Sequence, residues 1–435
     1  MEKQTVLFIT IDMIGHINPA IAIAEQIVSL GNRAIFALDK SWNGKISSKY
    51  DGIEEIYYTD PERSQNEQDS NKWIKSIKEM SKIFPLEGVE KLKYANSKAR
   101  HRALYTLLNV DDQLAIIIKN LKPNVIYVDS LATVPAVWHC GIPWVRVCSN
   151  APLKYIGSED LPPGGSGLPT NGDRKEWEQY WEETENVYGE LRIQFNKEMK
   201  EKYGIPPISP STMILAHNSP YLNIYQYPKE MDYEDIRPIP DRYQRFDHLI
   251  RIKENDCNFE VPDSLLNNDL GSLIYVSMGT MGCADLVLME RLITILKESP
   301  NRFIFSLGPN HKYLKTILHS NMFGAESVPQ TFVLQMVDLF ITHGGNNSMI
   351  ESLYFGRPML VNPLFADQPE NAQRLSETGL GYRINAYTCD PQEMLNKIED
   401  LLHDRELKNK LKQISIRMQN SNATQKAALA ILNLA

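Results

Sequence analysis

Cysteine is scarce in this chain, and its five cysteines (Cys140, Cys148, Cys257, Cys283 and Cys389) include no CxxC pair. An odd, scattered set argues against a disulfide framework or a zinc ribbon and fits buried thiols in a reducing compartment. Basic charge is in short supply as well, with 46 Lys and Arg against 54 Asp and Glu. The resulting net charge of −8 disfavours nucleic acid or an anionic membrane as the main partner. Long apolar runs are missing: the C-terminal "ATQKAALAILNLA" is too short to span a bilayer and has no basic flank. "MEKQTVLFIT" enters a strand-like run at once, so no secretory leader is expected and a cytoplasmic location is. Short-period repeats and low-complexity tracts are also absent.

What is present is an ordinary globular composition, 43% hydrophobic and 23% charged, in 435 residues, long enough for two domains. "TVLFITI" (Thr5 to Ile11) reads as a buried strand. Asn18 and Pro19 are expected to open the next helix as cap and first residue, with Gly31 closing it. "RAIFAL", "NVIYVD" and "PWVRVC" follow as strands with helical stretches between, the alternation of a parallel sheet with crossover helices. The pattern loosens after Asn150, where "LPPGGSGLPTNGD" reads as loop and "RKEWEQYWEETENVYGELRIQF" as helix. A polar connection, "KENDCNFEVPDSLLNND", leads into a second alternating unit with strands "SLIYVSMG", "RFIFSLG" and "LFITHGG". The expected fold is therefore α/β, with two facing Rossmann-like domains. The expected bounds are 1–248, a linker 249–263, a second domain 264–418, and a C-terminal helix 419–435 returning to the first domain. Ligands of such sheets sit beyond the carboxyl ends of the strands.

"ITHGGNNSMIE", Ile341 to Glu351, lies at such an end. Its glycines, between a strand and a helix start, suit close backbone approach to an anion. No lysine follows, so this is not the phosphate loop of nucleotide hydrolases. Ser348 and Glu351 could alternatively form a capping box, and Asp367 could cap the helix that begins at Pro369.

The longer stretch "FITHGGNNSMIESLYFGRPMLVNPLFADQ", with "VPQ" before it and "GHINP" near the N-terminus, resembles the signature of the inverting family-1 UDP-glycosyltransferases. Soluble-looking ends make the bacterial and mite members the nearest in kind. The resemblance implies the two-domain GT-B glycosyltransferase architecture, with the acceptor held by the first domain and a UDP-sugar by the second. It implies that Gly15 is among the donor-binding residues and that Gly279, Thr280, His343, Gly345, Asn347 and Ser348 serve the diphosphate side of the donor. Gln330 would meet the uracil, Glu351 the ribose hydroxyls, and Asp367 with Gln368 the sugar hydroxyls, favouring glucose. No cofactor or metal is implied: the UDP-sugar is a co-substrate, the chain has no DxD motif, and a helix end can supply positive charge. Two departures stand out. Ser327 replaces the aromatic that stacks on uracil, and Asn362 replaces a tryptophan found in plant members.

By the same resemblance His16 is the base that takes the acceptor's proton, and Asp129 orients it, as in a Ser-His-Asp triad. A position just before the helix start would keep the imidazole neutral. The bland readings are a structural turn histidine and a helix-capping aspartate. The partners are thus a UDP-sugar donor and a small hydrophobic acceptor bearing a hydroxyl, such as a phenol, flavonoid or xenobiotic in detoxification. Trp73, Met80, Phe84, Tyr105, Trp177 and Trp181 could line its pocket, Phe84, Tyr105 and Trp177 foremost, although their helical spacing suits core packing equally. A sugar-nucleotide epimerase and a non-catalytic binder of hydrophobic molecules are the competing readings.

Overall fold

The computed structural model describes residues 3–61, 79–94, 104–208, 214–251, 259–266 and 271–435. Trp73 lies outside them. The first sheet holds seven parallel strands: β1 (Thr5–Thr10), β2 (Arg33–Asp39), β3 (Ile53–Tyr58), β4 (Val125–Asp129), β5 (Trp144–Cys148), β6 (Leu222–Gln226) and β7 (Tyr243–Phe246). Their order is β3-β2-β1-β4-β5-β6-β7. Strand β1 is buried along its whole length because helices cover both faces, which explains its unbroken apolar run. Val6 and Phe8 turn to one face, where Phe8 stacks on Phe36 with ring centroids 4.7 Å apart. Leu7 and Ile9 turn to the other, against Leu114 and Ile118 of the helix Asp111–Leu121.

The second sheet holds β8 (Leu273–Ser277), β9 (Arg302–Ser306), β10 (Met322–Ala325), β11 (Leu339–Thr342), β12 (Met359–Val361) and β13 (Gly381–Arg383). Its six strands, also parallel, run in the order β10-β9-β8-β11-β12-β13. Both sheets reverse strand order once, between β1 and β4 and between β8 and β11. A crevice opens at such a switch point because the flanking connections depart to opposite faces. The helix Ala423–Leu432 puts Ala427, Ala428 and Ile431 into the same apolar cluster as Ile17, Ala20 and Ile27 of the first domain.

One boundary departs from the sequence expectation. The first helix runs Ile14–Ser29, capped by Met13, so Asn18 and Pro19 lie inside it rather than at its start. Proline is poor in a helix interior because it has no N–H for the carbonyl four residues back. Here that carbonyl belongs to Gly15, and it is used elsewhere.

Candidate active site

The loops beyond β1 and β4 bring together the first pair. Thr10 and Asp129 are direct neighbours in the β1–β4 ladder. His16 follows in the first turn of the helix, its backbone N–H bonded to the Met13 carbonyl at 2.9 Å. Its Nδ1 lies 3.0 Å from Asp129 Oδ2, with both side chains buried. The position inside the helix corrects the expectation of an imidazole held neutral by the helix end. Burial pushes the His16 pKa down, but the Asp129 charge, its hydrogen bond and the more distant Asp367 outweigh this, so the pKa stands above the ordinary value. Ser149 at the end of β5 donates its hydroxyl to the same Asp129 oxygen. Sequence reading missed Ser149, whose only signal was its place after a strand at the sheet's carboxyl edge.

Across the cleft, β8 and β11 are paired through Ser277 and Thr342, and the loops beyond them form the second half. His343 sits between Gly279 and Gly345. A Cβ on either would fall 2.7 Å or 2.6 Å from His343 Nε2, so both positions require glycine. Gly279 also has φ +66, the left-handed region. Burial pushes His343 down to about 4, so the ring is neutral and brings no positive charge of its own. Thr280 is exposed, second in the short helix Gly279–Gly282.

The helix Asn346–Tyr354 has Gly345 at its cap, which places Ser348 within the helix and removes the capping-box reading. Ser348 and Glu351 instead meet Gln330: its Nε2 donates to Ser348 Oγ at 3.1 Å and to Glu351 Oε2 at 2.6 Å. Three residues from two segments 18 to 21 positions apart thus share one polar cluster. Ser327 is exposed nearby in sequence, with no aromatic in its place.

The asparagines tie the halves together. Asn347 Nδ2 donates to the Gly15 carbonyl at 2.8 Å, the acceptor that Pro19 leaves unused in the helix. Its Oδ1 accepts from Gln226 at 2.6 Å. Asn346, overlooked in the sequence because its neighbour matched the motif, is buried and donates to the Ser149 carbonyl at 2.8 Å. A path of contacts therefore runs from the glycine loop through Asn346 and Ser149 to Asp129 and His16.

Asp367 stands at the cap position of the helix Gln368–Glu377 but makes no side-chain cap, which sets aside the capping reading. Its Oδ2 accepts from the Ala151 N–H of the first domain at 2.9 Å. Gln368 Oε1 braces its own loop, accepting from Leu364 and Phe365 at 2.9 and 3.0 Å. Asn362 is buried and accepts from the Ala386 N–H at 2.8 Å, a structural use.

The three foremost acceptor candidates are not brought together. Phe84 is buried against Phe365 of the second domain, with centroids 5.6 Å apart. Tyr105 meets Phe195 edge-on at 6.2 Å. Trp177 lies under the Arg174 guanidinium in the long helix Arg174–Tyr203. Helical spacing alone could not say which way these rings face. A cavity of about 310 Å³ does lie between the domains, walled by Met80, Ile83, Tyr180, Tyr188, Phe365 and Ala366. Met80 is the one sequence candidate among them.

Among the described residues no three His, Cys, Asp or Glu side chains are grouped to hold a metal ion. No described helix is long and apolar enough to cross a membrane.

Comparison with known proteins agrees with this geometry. The family model for UDP-glucoronosyl and UDP-glucosyl transferase matches residues 267–423, the second domain. The chain is 24% identical to the NDP-glycosyltransferase YjiC of Bacillus subtilis (strain 168), over 99% of this chain and 97% of that one. In fold it is similar to the glycotransferase of kitacinnamycin, with a TM-score of 0.73 at 18% identity over 100% of both chains. The spinosyn rhamnosyltransferase SpnG complexed with thymidine diphosphate gives 0.62 at 15% identity over 96% of each. Two parallel sheets that each reverse strand order once, a family model matched over residues 267–423 and a relative aligned end to end support a family-1 UDP-glycosyltransferase of the GT-B fold.

Proposed function

We propose that the enzyme moves glucose from UDP-glucose to a hydroxyl of a small lipophilic acceptor, with inversion and without a metal, in the cytoplasm. The observation that carries this reading is the His16–Asp129 pair, 3.0 Å apart, at the switch point that faces the glycine loop. Asp129 holds Nδ1, which leaves Nε2 to take the proton of the attacking hydroxyl. A single displacement at the anomeric carbon turns an α-linked donor into a β-glycoside. UDP departs as an anion, and the start of the helix Asn346–Tyr354 with its loop amides offsets that charge. Gln330 and Glu351 form the nucleoside end, Ser348 beside them serves the diphosphate, and Asp367 and Gln368 form the sugar end. The fold relative bound to thymidine diphosphate is consistent with a nucleoside diphosphate as the leaving group. The cavity beside Phe365 and Ala366 supports a second substrate, which an epimerase would not need.

The test is product analysis with UDP-glucose and other nucleotide sugars, using one phenol and one aliphatic alcohol. A β-glycoside by the anomeric proton coupling is expected, and His16→Ala should harm the alcohol more than an acidic phenol, which partly ionises unaided near pH 10 (about its own pKa). An α-product, or equal and pH-independent losses on both acceptors, would remove the single-displacement, general-base reading.

A further inference from the structure

The cavity between the domains carries a charge that its packing does not explain. Its apolar walls come from Met80 and Ile83, from Phe365, and from Tyr180 and Tyr188 on one face of the long helix. Its polar lining includes three cations, Lys91, Lys154 and Arg383, against the single carboxylate Glu87. Arg383 is matched with Glu87 at 2.9 Å. Lys154 faces Glu370, a carboxyl that burial pushes up to about 7 while the Leu153 and Gly165 N–H groups hold it at 3.0 Å.

Lys91 is different. It is largely enclosed, and among the described residues no carboxylate lies within ion-pair distance of it. Its ammonium donates to the Leu364 carbonyl at 2.6 Å and more weakly to that of Phe84 at 3.4 Å. Burial pushes its pKa down to about 8, with the more distant Glu87 charge opposing the fall and Arg383 adding to it, so it remains mostly charged at neutral pH. An enclosed cation held only by carbonyls costs stability that a methionine of similar length would not. Leu364 is three residues before Asp367, so this cation borders the loop assigned to the sugar.

We propose that the cavity is the acceptor's and that it selects aromatic acceptors carrying a carboxylate, which seats on Lys91 while the ring lies against Tyr180, Tyr188 and Phe365. This rests on the transferase reading above and adds the acceptor's class to it. An anion on Lys91 makes the close ion pair that Glu87, beyond ion-pair distance and matched with Arg383, does not make, and the apolar walls exclude water, which strengthens the contact. No new bond is formed at Lys91; the transfer chemistry is that of the neighbouring sugar end.

The experiment compares hydroxyaromatic acids with their methyl esters as acceptors, using wild type, Lys91→Met and Lys91→Arg. Wild type should favour each acid by about tenfold or more in kcat/KM, through KM, as expected for one charge-assisted contact. Lys91→Met should bring acid and ester to parity, and Lys91→Arg should keep much of the preference. UDP affinity by calorimetry should be retained in both, which separates loss of the contact from loss of the fold. Equal use of acid and ester by wild type would overturn the proposal and leave the transferase reading intact. A preference that survives Lys91→Met would also overturn it. Failure of wild type to glycosylate acid, ester or simple phenol would overturn the transferase reading and this proposal with it.

Discussion

At the scale of single residues, His16 is governed by two opposed effects. Burial favours the neutral ring, and Asp129 favours the charged one more strongly. If His16 is the base proposed above, its active form is the neutral ring, and activity should rise with pH through a value above the ordinary 6.5 or so of histidine. Asp129→Asn removes the larger stabiliser of the imidazolium and leaves burial in place. The acid limb of kcat/KM should therefore move to lower pH even as the plateau falls, by about 10²-fold or more if the pair acts as a unit. A pH–rate profile of this variant with unchanged acid limb would show that Asp129 does not set the state of His16. Ser149 enters the same account because its hydroxyl occupies the oxygen of Asp129 that faces the ring. Nothing in the local sequence around Ser149 marks it; only the adjacency of β4 and β5 places it there.

At the scale of elements, the first helix shows how one backbone exception is put to use. Pro19 has no N–H, so the Gly15 carbonyl has no partner within the helix and accepts from Asn347 of the other domain instead. Asn347→Ala removes that bond and the one from Gln226, a loss of about 1–2 kcal/mol for one exposed and one partly buried hydrogen bond. A lower Tm and a larger radius of gyration by small-angle scattering are the expected results. Pro19→Ala should have a split effect: the helix gains an internal bond, while the cross-domain bond must compete for Gly15. Hydrogen exchange should then slow within the helix while the domains open more readily. If neither variant alters the scattering profile, the bond is incidental to domain closure. The proline is visible in "GHINP", yet its usual place at a helix start led the sequence reading to begin the helix five residues late, at Pro19 instead of Ile14. Tertiary support from Asn347 is what makes the interior position tolerable.

At the scale of the whole molecule, the domains are also joined away from the residues that line the cavity, through Arg417. Arg417, in the helix Arg405–Gln419, reaches Glu230 at 2.6 Å and also Asp247, both in the first domain. Burial would raise the Asp247 carboxyl, but hydrogen bonds and charge from Arg417, with Arg245 and the Lys229 N–H, hold it below its usual value. A carboxylate with a depressed folded-state pKa adds stability that is fully present above the unfolded value near about 4 and is lost as pH falls through the folded one. Arg417→Ala should accordingly lower stability by roughly 1–2 kcal/mol at pH 7 for an arginine whose side chain is 34% exposed. The difference from wild type should shrink as the medium is acidified below about pH 4. Thermal melts across pH check this, and a deficit that persists undiminished in acid would assign the loss to packing of the arginine stem instead.

The amino-acid sequence by itself determined the class of fold and the place of the glycine loop beyond a strand. Unbroken apolar runs such as Thr5 to Ile11 can only be buried on both faces, and glycines beside a histidine admit close backbone approach wherever the chain places them. Local chemistry dictates both, so both are legible locally. What only the tertiary structure decided is which groups from distant segments meet, within a domain and across the cleft. Gln330 with Glu351, Asn347 with Gly15, Asp367 with Ala151 and Lys91 with Leu364 are pairs from distant segments. The rings of Phe84, Tyr105 and Trp177 carry the same apolar character in sequence and end in three separate environments. Helical periodicity tells which face of an element is apolar, but not what that face packs against, and the cavity between the domains is walled by such packing.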